Sequence, residues 1–88
     1  MDTRKIVGWN LRRLRVAQNL SQEQLALEAM IDRAYVGRIE RGIENVTLAT
    51  LDSLIHVLDV PIVELFKEPK NPTLTPKLRA GRKPKQSR

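Results

Sequence analysis

Two helix-starting signals, at Ser21 and Asp32, constrain this chain more than any other feature. Ser21 precedes Gln22-Glu23-Gln24, so its hydroxyl can cap a helix N-terminus while the Gln24 side chain reaches back to close a capping box. Leu25, Ala26 and Ala29 then mark one apolar face at helical spacing. Asp32 is the second cap, and Val36 and Ile39 share a face of the helix it opens. Gly42 is placed to terminate that helix in the left-handed conformation. The segment therefore predicts two short helices joined by a tight turn.

The rest of the chain predicts helices as well. Thr3 to Gln18 forms a first one, with Val7, Leu11 and Leu14 on a common face, Arg12 and Arg13 off it, and Asn19 as terminator. Thr47 caps a fourth, along which Leu48, Leu51, Leu54, Ile55 and Leu58 recur at helical intervals. Pro61 suits the first turn of a short fifth, with Ile62, Leu65 and Phe66 as apolar contacts. No stretch reads as a strand. The expected fold class is all-α: a five-helix domain over residues 1–66, followed by a disordered, Pro-rich basic tail over 67–88.

That division follows from charge and composition. Residues 1–66 hold eight Lys/Arg against nine Asp/Glu, a net −1, whereas 67–88 hold eight cations and one acid, a net +7. The tail also holds four of the five prolines. It has too little apolar surface to offset the entropy of ordering it. Because the folded part is nearly neutral, overall basicity alone does not make it a nucleic-acid binder; the placement of its cations must. With 88 residues there is room for one small core and little for a catalytic cleft. The chain has no cysteine, which excludes disulfides and cysteine-based zinc sites. No apolar run is long enough for a membrane span, and residues 1–5 do not lead into a signal-peptide core. One histidine without cysteines or clustered carboxylates makes no metal site, no nucleophile–base set or phosphate loop occurs at meaningful spacing, and no cofactor is expected.

Two short capped helices in this order form a helix-turn-helix, whose second helix enters the DNA major groove. The first residues of such a helix face base edges. Here they are Arg33 and Ala34, with Gly37 and Arg38 one turn on. Arginine donates two parallel hydrogen bonds to guanine N7 and O6. Arg33 is thus the leading base reader and Arg38 the second, and Ala34 offers a methyl contact. Gly37 weakens the helix by about 1 kcal/mol relative to alanine, which suggests either close approach of backbone and DNA or simply drift.

The segments Ser21-Gln22-Glu23-Gln24-Leu25-Ala26 and Asp32-Arg33-Ala34-Tyr35-Val36-Gly37-Arg38-Ile39-Glu40-Arg41-Gly42 resemble the Cro/repressor-type (XRE) helix-turn-helix family. The resemblance runs through Asn45-Val46-Thr47-Leu48-Ala49-Thr50-Leu51 to Leu65-Phe66, roughly residues 4–66. Within the family, the opening of the recognition helix at residues 33–41 is most similar to the small controller proteins of restriction-modification systems. The resemblance implies that Gln22, Tyr35, Arg41 and Asn45 contact the DNA backbone. Tyr35 could instead pack, and Arg41 could instead pair with a nearby acid. It further implies an ion pair of Arg15 with Glu40, tying the first helix to the recognition helix. Met30 departs from the family, which usually has glycine there for a positive φ; either the turn is strained or its geometry differs.

The expected function is a sequence-specific DNA-binding transcriptional regulator. It would act as a homodimer on double-stranded DNA with a roughly palindromic site, RNA polymerase being a further partner. The dimer surface is expected on the fourth and fifth helices, at Leu51, Ile55, His56, Leu58, Leu65 and Phe66; His56 is either a packing or a dimer-contact residue. The expected setting is a bacterial or phage cytoplasm, associated with the nucleoid. Two alternatives stay open: an antitoxin-like regulator that also binds a toxin, and a coactivator-type protein-interaction module contacting DNA nonspecifically through its tail. In that tail, Arg79-Ala80-Gly81-Arg82-Lys83-Pro84-Lys85 faintly resembles a minor-groove AT-hook; the alternative is a polybasic arm that follows phosphates.

Overall fold

A computed structural model describes residues 2–70. It holds four α-helices: α1 Thr3–Ala17, α2 Gln22–Ala29, α3 Arg33–Glu40 and α4 Leu48–Leu58. Each begins where a side chain satisfies an orphan backbone N–H. The Asp2 carboxylate accepts from Lys5 N at 3.0 Å, Asp32 from Ala34 N at 3.2 Å and the Thr47 hydroxyl from Thr50 N at 3.1 Å. At Ser21 both halves of the capping box are made, at 2.9 and 3.0 Å. The helix ends are equally local. Asn19, Met30, Gly42 and Asp59 all take positive φ and turn the chain into the next element.

α1 is one residue shorter than expected. Gln18 is its C-cap, and the Gln18 side chain crosses to donate to the Leu58 carbonyl at the end of α4. The expected fifth α-helix is a 3-10 helix, Ile62–Phe66. Pro61 precedes it in extended backbone, with no side chain capping the first turn. A segment this short closes with the tighter i→i+3 bonds, such as Glu64 N to the Pro61 carbonyl at 3.0 Å.

α1 lies against α3 and the 3-10 helix, while α2 lies against α3 and α4. Leu11, Leu25, Val36, Ile39, Leu54, Leu58 and Leu65 fill the centre. The 3-10 helix is fastened to α1 by polar side chains as well. Asn10, fully buried, donates its amide to the carbonyls of Leu65 and Lys67, at 3.0 and 2.7 Å, and to Ile6 within its own helix. Arg13 donates to the Asn10 side-chain oxygen and to both the carbonyl and the carboxylate of Glu64. Lys67, with Arg13, holds the Glu64 carboxyl below its ordinary range. The fold's ties therefore reach Lys67, one residue past the expected domain boundary. The expected tail beyond residue 70, with its AT-hook-like stretch, lies outside the described residues.

Between α2 and α3 the chain reverses at Met30, with φ 62° and ψ 42°. Ile31 N bonds back to the Ala26 carbonyl at 2.9 Å, and the Met30 side chain is 90% exposed. Of the two readings of this departure from glycine, the strained turn is the one found. A side chain in this conformation costs about 1–2 kcal/mol, against about 0.4–1 kcal/mol of extra chain entropy lost on folding by glycine. Met30→Gly is accordingly expected to raise stability by up to about 1 kcal/mol, read as a higher Tm; a lower Tm would show that the methionine side chain makes a contribution its exposure does not suggest.

Among the described residues, no helix is long and apolar enough to cross a membrane. Nor do three or more His, Cys, Asp or Glu residues gather there as a metal site.

Candidate nucleic-acid interface

The candidate interface is built on α3, whose inner side is fixed before its outer side can be considered. Val36 and Ile39 are buried in the core. Glu40, at the end of the helix, is the polar anchor. Its carboxylate accepts from Arg15 Nε at 2.6 Å and Arg15 Nη2 at 3.0 Å, a side-on bidentate pair. Gln22 Nε2 donates to the same carboxylate at 3.0 Å, and Arg12 stands 3.8 Å away. The remaining Arg15 amine donates to the Leu20 carbonyl at 2.7 Å. The side chains of Arg15 and Glu40 are only 7% and 4% exposed. The ion pair that family resemblance implied is thus present, and it joins α1, α2 and α3 at one carboxylate.

A second anchor has no side chain. Gly8 of α1 lies so close to α3 that a Cβ there would overlap the Ile39 carbonyl oxygen and come within 2.9 Å of the Glu40 carbonyl oxygen. Gly8 and Arg15 are seven residues apart, two helical turns, and so share the α1 stripe that faces α3. One brings the helices together and the other ties them.

Fixed in this way, α3 leaves Arg33 and Ala34 exposed at its N-terminal end. Arg33 makes no ion pair among the described residues. Arg38 is differently placed. Its Nε donates to Glu44 at 2.7 Å, its guanidinium carbon lies 5.5 Å from the centre of the Tyr35 ring, and the Glu44 carboxylate holds its charge more firmly than usual. Tyr35 is half-buried and packs against the core, in line with its packing alternative. Gly37 is buried beneath the Arg41 and Gln22 side chains, with room for a Cβ at 3.5 Å from Arg41 Nη1. Its smallness is therefore not demanded by packing.

Gln22 uses one side-chain N–H on Glu40, so less of its amide is free for a phosphate than the sequence suggests. The first backbone N–H groups of α2, which have no intrahelical acceptor, stand beside it. Arg41 and Asn45 are exposed in the segment that follows α3, and Arg41 makes no ion pair among the described residues.

The expected dimer surface needs correction. Leu51, Leu58 and Leu65 are 3%, 1% and 0% exposed, turned into the core of a single chain, and cannot present a surface. Ile55 is half-buried, while His56 and Phe66 are exposed. Ile62 and Val63, on the same 3-10 helix as Phe66, are exposed as well. Three residues that matter here escaped the sequence: Gly8, Asn10 and Glu44. Only Asn10 left a signal, since it interrupts the apolar stripe of Val7, Leu11 and Leu14 at helical spacing.

An exposed α3 opening with Arg33 and Ala34, braced through Glu40 by α1 and α2, defines a DNA-binding helix-turn-helix domain. The chain belongs to the helix-turn-helix family of the Cro/repressor (XRE) type, whose family model, HTH_3, matches residues 11–65. It is similar to the control protein C.SmaI of Serratia marcescens, at 43% identity over 66 residues, 75% of this chain and 79% of that protein. The control protein C.BamHI of Bacillus amyloliquefaciens is 38% identical over 66 residues, 74% of this chain and 82% of that protein. Among solved structures, the restriction-modification controller protein C.AhdI from Aeromonas hydrophila superposes with a TM-score of 0.70. It is 46% identical and is matched over 72% of this chain and 96% of its own.

Proposed function

We propose that this chain is a sequence-specific transcriptional regulator of the controller type. It acts as a homodimer that sets two copies of α3 into successive major grooves of a roughly palindromic site. Arg33 reads guanine through its paired N–H donors, Arg38 reads a second base, and Ala34 offers its methyl group. Gln22, Tyr35, Arg41 and Asn45 meet the phosphate backbone and set the register. The dimer forms through Ile55, His56 and Phe66 with the neighbouring Ile62 and Val63; Phe66, Ile62 and Val63 are apolar side chains left exposed beside the core. RNA polymerase is the further partner through which an occupied promoter is blocked or stimulated.

The observation that carries this reading is the placement of Arg33: exposed, unpaired among the described residues, and mounted at the N-terminal end of a helix whose other end is locked. Selection of bound sites from random duplex DNA, with wild type and Arg33→Ala side by side, tests it. Wild type is expected to enrich a palindrome, and the variant to lose guanine preference at one position in each half-site. Binding with no enriched motif, fading only as salt rises, would overturn the reading and leave the basic tail as the DNA contact.

A further inference from the structure

We propose that Glu44 is a positioning residue for base recognition: it holds one edge of the Arg38 guanidinium so that the opposite edge is presented to a guanine. The inference rests on the reading of α3 as the recognition helix.

Arg38 is gripped at three points. Its backbone carbonyl accepts from Ile43 N at 3.2 Å, which folds the segment after α3 back onto the helix. That return passes through Gly42 at φ 77°, where a Cβ would lie 2.8 Å from Lys5 Cγ, so the path is set by glycine. The return delivers Glu44, whose carboxylate accepts from Arg38 Nε at 2.7 Å. The guanidinium then lies 5.5 Å from the centre of the Tyr35 ring, itself packed on the core.

The choice of atom matters. A guanidinium offers five N–H donors in a rigid plane, and recognition of guanine N7 and O6 needs two that run parallel. Glu44 occupies Nε; the terminal amines Nη1 and Nη2 have no partner among the described residues. Those two form the end-on fork. A flexible side chain, 42% exposed, is thereby held with a usable pair of donors free. Glu44 also places a negative charge on a surface that must approach phosphates, which disfavours binding to DNA in general. Its two effects have opposite signs: it sharpens binding to the correct site and weakens binding to every other one.

The test compares wild type, Glu44→Ala, Glu44→Gln and Arg38→Ala on two duplexes, the site enriched from random DNA by wild type and a scrambled duplex of equal composition. Thermal melts confirm that each variant is folded. Glu44→Ala is expected to bind the selected site about 10-fold more weakly, with relaxed preference at the base that Arg38→Ala also relaxes, while its affinity for the scrambled duplex holds or rises. Glu44→Gln keeps an acceptor oxygen and is expected to retain the base preference while binding the scrambled duplex more tightly. If Glu44→Ala tightened binding to both duplexes equally, Glu44 would be a competitor for Arg38 and the proposal would fall. Unchanged base preference in both Glu44 variants would overturn it as well. Unchanged preference in Arg38→Ala would instead remove Arg38 as a reader, and failure of wild type to enrich any site would remove the recognition reading itself; the proposal falls with either, by a separate result.

Discussion

Gly8→Ala is expected to destabilise the domain by about 3 kcal/mol, the upper part of the range for overpacking a close contact. In a domain of this size that corresponds to a Tm lower by about 15 °C. The added methyl has nowhere to go, because the atoms it meets are the backbone carbonyl oxygens of Ile39 and Glu40, which cannot rotate away as a side chain would. Relief requires α1 and α3 to separate, and separation lengthens the Arg15–Glu40 pair two turns further along. The better helix propensity of alanine, worth about 1 kcal/mol, offsets only part of this. Gly37→Ala is the matched control: its Cβ would meet the Arg41 side chain at an ordinary 3.5 Å, so the same propensity gain should appear as equal or greater stability. Circular-dichroism melts of the two variants decide the matter. Equal melting temperatures would mean that the α1–α3 contact yields freely.

The second large effect is expected at Glu40. Glu40→Ala leaves Arg15 with a buried charge whose carboxylate partner is gone, and it strips Gln22 of an acceptor. Removing one member of a buried pair costs about 3–5 kcal/mol, a large share of the total stability of a small domain. DNA binding is expected to fail in step with folding, since α3 loses its tie to α1 and α2 together. The double variant Arg15→Met/Glu40→Leu, which removes both charges, should recover much of the stability, because the penalty comes mainly from the stranded charge and less from the lost pair. If Glu40→Ala melted like wild type and still failed to bind, Glu40 would have to act on DNA directly.

The contrast between these residues shows what the sequence could and could not convey. Helix starts are local matters of one side chain and a backbone N–H two or three residues away, so Ser21, Asp32 and Thr47 were legible. The departure at Met30 was legible too, because the turn's demand for positive φ belongs to the motif, but the structure was needed to choose between a strained turn and a different geometry. Gly8 was not legible: its reason for being glycine lies 31 and 32 residues downstream, and a helical glycine carries no mark of what it faces. Three of the six expected dimer-surface residues, Leu51, Leu58 and Leu65, failed for a related reason. The spacing of Leu51 and Leu58 specifies an apolar face but not whether this chain or a second copy covers it, and this chain does. Arg38 is legible in the sequence as a cation one turn into α3, but its pairing with Glu44 depends on how the segment after Gly42 folds back. The fifth helix was located correctly and typed wrongly, since five residues without a cap close more readily as a 3-10 turn than as an α-helix.

The locking of α3 from its inner side separates vocabulary from grammar in this domain. The residues that keep the helix in place are Val36, Ile39, Glu40 and the carbonyls opposite Gly8, and none is among the proposed base readers. Arg33 and Ala34 are exposed and carry little of the fold, so on the proposed reading a descendant gene can exchange them and acquire a new DNA target at almost no cost in stability. Position 38 is the exception. Its arginine shares an ion pair with Glu44, so drift there drags a second position along, and the two should be inherited as a unit.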